Sequence, residues 1–384
     1  MDKPTKTELF SGASVERLDL GHPYYTSHLI TYLGNKRRLL PFLYKNFLEI
    51  RQAVGKNKLV VLDGFAGSGA VSRLLKAFAG DLYVSDIERY SCTINEAYLA
   101  NRSSIDAGKL EETIGWLNDN SYTDCGAGAG FIESNYAPED DGDIKPGERV
   151  FYTRANARII DNIRRLVDQV SPELRKLCLA ALLVKASVHT NTSGVFKGFH
   201  KKLGNGHFGG RGENALSRIK GEIKLEVPMF SAFECPVHVI NADVNQLVKD
   251  ENLPWFDLAY FDPPYNQHPY GSNYFMLNII NDGVPVEIQP GVSGITRGWK
   301  RSSYNRKKAA GQALDELLSS TRASYIAISY NNEGLIPVEE FIRLISRHGE
   351  WKVAEQEYNT YRGSRNLGGR SIKVKELLWL IRKA

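Results

Sequence analysis

The chain has few cysteines and no long apolar run, which argues against several classes of protein. Its 384 residues include four cysteines, at positions 92, 125, 178 and 235, with no CxxC pair. This spacing argues against disulfides and against a zinc site. No run of about 18 apolar residues is present, so a membrane span is not expected, and the N-terminal segment lacks the apolar core of a signal peptide. We therefore expect a cytoplasmic protein without a metal.

The chain as a whole also lacks a strong excess of one charge, although two of its segments are strongly basic. Lysine and arginine number 49 against 44 acidic residues, and hydrophobic residues make up 42% of the chain, as in ordinary globular proteins. Residues 193–224 hold seven basic residues against two acidic ones, and residues 289–308 hold six against none. Two concentrated basic segments in a nearly balanced chain indicate a polyanionic partner.

Two common nucleotide-binding motifs are absent, although the chain has a strand, a glycine-rich loop and a helix in sequence. Residues 58–63 (KLVVLD) predict a strand, residues 64–69 (GFAGSG) a loop and residues 70–78 a helix. The loop has neither GxGxxG spacing nor a following GK[ST], so neither an NAD site nor a P-loop fits. A second predicted strand, 81–86, ends in an acid about 20 residues beyond the loop, where a carboxylate can accept hydrogen bonds from a ribose. We expect a nucleoside-containing cofactor.

Residues 256–265 contain a strand that ends in two prolines. The apolar run 256–261 predicts a buried parallel strand, and DPPY ends it because proline cannot donate to a sheet ladder. The Asp262 carboxylate, the Pro263 carbonyl and the Tyr265 ring then lie where open α/β sheets bind ligands. These groups suit a flat heterocycle that carries an amino group, although the motif alone could be an ordinary turn. We expect Asp63 and Asp262 to lie side by side.

The remaining pattern predicts a doubly wound α/β fold with an insertion. Further strands are predicted at 237–243, 324–330, 351–358 and 375–381, which makes about seven. Between about 95 and 235 the alternation of strand and helix stops, and helices are predicted at 157–167 and 172–188. Residues 193–212 mix Gly, Lys, His and Phe without periodicity, which predicts a flexible loop that becomes ordered on a partner. We expect a catalytic domain at 1–94 and 236–384 and an inserted recognition domain at 95–235.

The motifs and their order resemble a known family, the alpha group of N6-adenine DNA methyltransferases that use S-adenosylmethionine. The matching segments are TYLGNK at 31–36, FAGSG at 65–69, Asp86, NAD at 241–243 and DPPY at 262–265. The longer run at 262–278 is similar to one branch that includes modification enzymes of restriction systems. It departs from that branch at His268 and Pro269, where Arg and Gln are usual.

The resemblance implies a Rossmann-like S-adenosylmethionine-dependent methyltransferase fold with an inserted target-recognition domain. It implies methyl transfer to the N6 amino group of a flipped-out adenine in a specific sequence of double-stranded DNA. It also implies a separate cognate restriction endonuclease as a partner and a cytoplasmic location of prokaryotic type. The implied catalytic residues are Asp262, Pro263, Pro264 and Tyr265. The implied cofactor residues are Tyr32, Lys36, Asp63, Phe65, Gly67, Ser68, Gly69, Asp86, Asp243 and Asp262. Candidate DNA contacts are Lys197, Lys201, Lys202, Arg211, Arg297, Lys300, Arg301 and Arg306.

The residues leave several alternative functions to consider. The target could be another planar amine (cytosine N4, guanine N2 in RNA or a glutamine side chain), although SPPY or NPPY is more usual there. A DNA-binding regulator that has lost catalysis is a second alternative, which the intact Asp262 and glycine loop argue against. A fused nuclease is rejected because the E-x-K segment at 222–224 lacks a preceding Pro-Asp pair.

Overall fold

The computed structural model describes residues 14–122, 128–202, 205–213, 215–359 and 373–383. The strands are β1 Leu59–Asp63, β2 Ala79–Asp86, β3 Lys201–Lys202, β4 Asn205–Gly206, β5 Val237–Asn241, β6 Phe256–Phe261, β7 Ala323–Asn331, β8 Gly349–Asn359 and β9 Lys373–Lys383. The helices are α1 Pro23–Thr26, α2 Leu40–Val54, α3 Ala70–Phe78, α4 Arg89–Tyr98, α5 Ala107–Asn120, α6 Phe131–Tyr136, α7 Arg154–Val167, α8 Pro172–Val188, α9 Leu216–Lys220, α10 Val244–Leu247, α11 Tyr270–Asn273, α12 Phe275–Asp282, α13 Lys307–Ser320 and α14 Val338–Ile345.

One twisted sheet organises the chain and confirms the predicted fold class. Within the described ranges it has seven strands in the order β5-β2-β1-β6-β7-β9-β8. The first five pair in parallel, and β9 runs antiparallel to both β7 and β8. The order reverses between β1 and β6, and such a switch point is where doubly wound folds bind ligands. The carboxyl ends of β1 and β6 therefore face the same crevice.

Apolar residues alternate along the strands and build a core on each face of the sheet. In β1, Val61 packs with α2 and α3 on one face, while Leu62 packs with α13 on the other. In β9, Leu378 and Trp379 divide between the same two cores. Both faces of the central strands are thus covered by helices, which explains the nearly continuous apolar run of 256–261.

The insertion packs against the catalytic sheet region through a third core. Tyr274, which follows the DPPY turn, lies in one buried cluster with Phe151 and Phe196 of the insertion. The Phe196 N–H donates a hydrogen bond to the Asn273 carbonyl at 2.7 Å. The proposed boundary at 94/95 falls inside α4. Most of the regular secondary structure described in the insertion is helical, and no helix in the described part of the chain combines the length and apolar character needed to cross a bilayer.

The segment 193–212, predicted as a flexible loop that becomes ordered on a partner, contributes buried side chains to the insertion core. Its described residues include three buried aromatic side chains, Phe196, Phe199 and Phe208. The Asn191 side chain also accepts a hydrogen bond from the Gly209 N–H at 2.9 Å. The glycines and lysines of the sequence conceal three spaced phenylalanines, whose burial in the insertion core anchors the described part of this segment.

Candidate active site

The ends of β1 and β6 meet at one cavity, as the sequence predicted. Asp63 lies in register with Tyr260, and the Gly64 N–H donates to the Tyr260 carbonyl at 3.0 Å. Asp262 follows directly and lines a cavity together with the glycine-rich loop. Of the residues predicted for cofactor or catalysis, the wall includes Tyr32, Lys36, Phe65, Gly67, Ser68, Asp86, Asp243, Asp262 and Pro264.

The glycine-rich loop forms one wall of this cavity and is held by Asp86. The Asp86 carboxylate accepts the Gly67 N–H at 2.7 Å and the Glu88 N–H at 2.8 Å. Burial raises the pKa of Asp86 above its usual value. Gly67 has φ of 51°, and a Cβ there would lie 2.7 Å from the Tyr32 ring. Only glycine fits this position without displacing the tyrosine.

Four of the predicted site residues do not line the cavity. Asp63 is buried behind the loop, where it accepts the Ser72 hydroxyl at 2.6 Å, and burial raises its pKa to about 7. Gly69, with φ of 74°, lies at the start of α3 and packs against Asn95 of α4. Asp63 and Gly69 therefore support the loop from behind and do not face the cavity. Pro263 and Tyr265 also lie off the cavity wall.

Three tyrosines tie the N-terminal motif to the segment that follows DPPY. The Tyr32 ring stacks on Tyr270, with centroids 4.8 Å apart, and on Tyr274, at 5.0 Å. The Tyr270 hydroxyl donates to the Leu33 carbonyl at 2.9 Å, and the Leu33 N–H donates to the Tyr274 hydroxyl at 2.8 Å. These contacts hold the residues around Lys36 beside the Asp262 turn.

A buried charge cluster lies at the Asp262 end of the cavity. The Lys36 ammonium is 3.2 Å from Asp262 Oδ1 and 2.7 Å from Glu376 Oε1, although neither contact has hydrogen-bond alignment. Burial alone would lower the pKa of Lys36, but the two carboxylates outweigh it and raise that pKa well above its usual value. Burial raises the pKa of Asp262 to about 7 despite Lys36, and Glu376 adds to the increase. The two carboxylates around one ammonium therefore account for the raised pKa of Lys36, whereas burial is the main cause of the raised pKa of Asp262.

Sequence reasoning missed two acidic residues of the site, Glu376 and Glu88. Glu88 is 3% exposed and lines the cavity. Its Oε2 accepts from Asn278 at 2.6 Å, whereas Oε1 has no hydrogen-bond partner among the described residues. Burial raises its pKa to about 7. Its position two residues after Asp86 was a usable signal, but nothing local marks Glu376 within 373–383.

The two basic segments lie next to each other at the surface. Burial lowers the pKa of Lys197 in the insertion, and the nearby Arg301 adds to this effect. The Ser293 hydroxyl donates to the Lys197 carbonyl, and Lys300 Nζ approaches the Ile87 carbonyl at 3.4 Å. The segment after DPPY therefore runs beside both the insertion and the cavity.

The other basic residues predicted to contact DNA lie in different environments. Arg297 forms an exposed ion pair with Glu287 at 3.1 Å, and Lys201 Nζ lies 5.2 Å from the centre of the Phe199 ring. Arg306 is exposed at the start of α13. The side chains of Lys202 and Arg211 lie outside the described parts of the structure.

Comparison with known proteins agrees with this geometry. Residues 32–342 match the family of D12 class N6 adenine-specific DNA methyltransferases. The chain is 28% identical to the Type II methyltransferase M.CviAII of Paramecium bursaria Chlorella virus 1, over 92% of this chain and 98% of that protein. It is 28% identical to M.NlaIII of Neisseria lactamica, over 88% and 93%, and 27% identical to modification methylase LlaI of Lactococcus lactis subsp. lactis, over 92% and 55%.

The family match extends from the turn before Lys36 through the insertion and the Asp262 turn. It favours adenine in DNA over the cytosine, RNA and protein targets that the motif alone had left open. The chain therefore belongs to the D12 class of N6 adenine-specific DNA methyltransferases, and its activity is the site-specific methylation of adenine in DNA.

Proposed function

We propose that the chain methylates the N6 amino group of an adenine flipped out of double-stranded DNA, with S-adenosylmethionine as donor and Asp262 as the central acceptor. The observation that carries this is the position of Asp262. Its side chain is 17% exposed, and it lines the same cavity as the glycine loop. Donor and acceptor sites in one cavity allow two reactants to be held in register, which contributes a large part of catalysis.

The side chains of the cavity wall have the chemical character that S-adenosylmethionine requires. Phe65 offers an apolar face, and the carboxylates of Asp86 and Asp243 can accept hydrogen bonds from ribose hydroxyls and from the adenine amino group. Each Asp86 oxygen already accepts one backbone N–H but keeps a second lone pair. Lys36 lies at the Asp262 side of the cavity, 3.2 Å from Asp262 Oδ1. The bound cofactor would supply an electrophilic sulfonium methyl group.

The Asp262 turn then activates the target amino group. The nitrogen of adenine N6 is a poor nucleophile because its lone pair is delocalised into the ring. Hydrogen bonds from N6–H to the Asp262 carboxylate and the Pro263 carbonyl favour a tetrahedral, more reactive nitrogen. The same acceptors stabilise the positive charge that develops during transfer. Tyr265, beside the Lys36 ammonium at 5.4 Å, is our candidate for stacking on the extruded base.

The insertion, which we place at 95–235, is our candidate for target recognition. Its Lys197 adjoins Arg301 of the segment after DPPY, so the two basic segments can contact one DNA backbone next to the cavity. The relatives are named as Type II methyltransferases and a modification methylase. We therefore also propose a separate restriction endonuclease of the same specificity as a functional partner, with both acting on DNA in the cytoplasm.

The decisive experiment is transfer of a tritiated methyl group from S-adenosylmethionine to mixed-sequence duplex DNA, followed by nucleoside analysis. Label in N6-methyladenine is the expected result. Label in N4-methylcytosine, or label only when RNA is supplied, would overturn the assignment of the substrate. Replacing Asp262 with Ala should abolish transfer while leaving binding of S-adenosylhomocysteine measurable. Retained transfer would remove Asp262 from the mechanism.

A further inference from the structure

A buried carboxylate on β9 contacts the same lysine as Asp262. Glu376 has no exposed surface, and its backbone lies in register with Asn331 of β7 and Gln356 of β8. Its Oε1 is 2.7 Å from Lys36 Nζ, whereas Asp262 Oδ1 is 3.2 Å from the same nitrogen. Leaving a buried carboxylate unpaired is strongly unfavourable, and Lys36 is the cation that pairs with Glu376 among the described residues. The shorter contact indicates that Glu376 is the main anchor of the lysine.

Because Lys36 contacts both carboxylates, Glu376 affects how freely Asp262 can accept hydrogen bonds from a substrate. Asp262 Oδ1 is buried on the side of Lys36, so the exposed surface of the side chain belongs to its other atoms. Without Glu376, Lys36 and Asp262 would form a single buried ion pair, and such pairs are strong because the local dielectric is low. That pair would compete with the adenine amino group for the carboxylate. With Glu376 present, one positive charge is shared by two negative charges.

We propose that Glu376 is a positioning residue for methyl transfer, which anchors the Lys36 ammonium and so leaves Asp262 free to accept hydrogen bonds from the substrate amino group. This inference rests on the proposed function of the Asp262 turn. The pKa of Asp262 agrees with it. Burial raises that pKa to about 7, Lys36 opposes the rise and Glu376 reinforces it.

The test replaces Glu376 with Gln, which keeps the shape of the side chain and removes its charge. Lys36 then pairs with Asp262 alone, so the buried cation keeps a partner. Transfer is measured in single turnovers from about pH 5 to about pH 9. We expect the apparent pKa that limits transfer at low pH to fall by on the order of one unit. We also expect a severalfold slower rate at high pH, because Lys36 now holds Asp262 more tightly.

Two matched variants separate this effect from general damage. Glu376→Asp keeps the charge but draws it back from Lys36, so transfer should slow without a shift of the low-pH limit. Glu355→Gln removes an exposed charge on the neighbouring strand, where it pairs with Lys375 at 3.1 Å, and should change nothing. Calorimetric binding of S-adenosylhomocysteine should be similar in all three variants. This binding reports on the cofactor site without catalysis.

A Glu376→Gln profile that coincides with the wild-type profile would overturn the proposal. If that variant does not fold, as judged by circular dichroism, Glu376→Asp decides, and a rate equal to the wild-type rate would overturn the proposal. Failure of the wild-type enzyme to methylate adenine would instead count against the proposed function. The two failures are therefore distinguishable.

Discussion

Replacing Asp262 with Asn tests whether its negative charge, and not its shape, drives transfer. The change keeps one acceptor oxygen but removes the charge that opposes the positive charge developing on the amino nitrogen. Loss of one such electrostatic group typically slows the chemical step by about 10²–10³-fold, or roughly 3–4 kcal/mol. We expect a loss of this size in the single-turnover rate of methyl transfer to duplex DNA.

The fold should tolerate this substitution because of the charge cluster. Removing one partner of a buried pair typically costs about 3–5 kcal/mol when the other charge is left alone. Lys36 keeps Glu376 at 2.7 Å, so the loss in unfolding free energy should be well below that range. Thermal unfolding and calorimetric binding of S-adenosylhomocysteine measure these two properties separately from activity.

Asp315→Asn is a suitable control for this experiment. Asp315 accepts from His348 at 2.8 Å on α13 and does not line the cavity, so its replacement should leave transfer unchanged. An Asp262→Asn enzyme whose transfer rate stays within about tenfold of wild type would refute the assigned role of the charge. A strongly destabilised Asp262→Asn enzyme would show that Glu376 does not hold Lys36.

Three further predictions follow from the same geometry. Transfer should decrease about tenfold per pH unit below the pKa of Asp262, about 7, because protonation removes the negative charge that stabilises the developing positive charge on the amino nitrogen. A transfer rate that does not change between about pH 7 and about pH 5 would contradict this. Gly67→Ala should weaken binding of S-adenosylhomocysteine by about tenfold, since its Cβ would lie 2.7 Å from the Tyr32 ring and φ is 51°. Calorimetry giving an unchanged affinity would disprove it. Arg301→Ala should weaken binding to all duplexes and reduce the salt slope of log K by about 1. A change in sequence preference without a change in slope would identify a base contact instead.

Most of the catalytic fold could be predicted because its signals are local. The run 256–261 is buried at every position and apolar at all of them except Asp257, and the prolines after Asp262 end the strand because proline cannot donate to a sheet ladder. The glycine loop between β1 and α3 was equally readable. Asp63 and Gly69 belong to the same motif, yet they lie behind the cavity wall. A motif identifies the loop, whereas the direction of each side chain depends on what packs behind it.

The sequence by itself determined the secondary structure around the site and the meeting of Asp63 with Asp262, because parallel strands joined through helices place their carboxyl ends at one edge. Only the tertiary structure decided that β9 enters the sheet antiparallel between β7 and β8. That placement brings Glu376 to Lys36 across almost the whole chain. Strand pairing between distant segments depends on which surfaces remain to be buried once the nearer ones have packed, and no local pattern encodes that outcome.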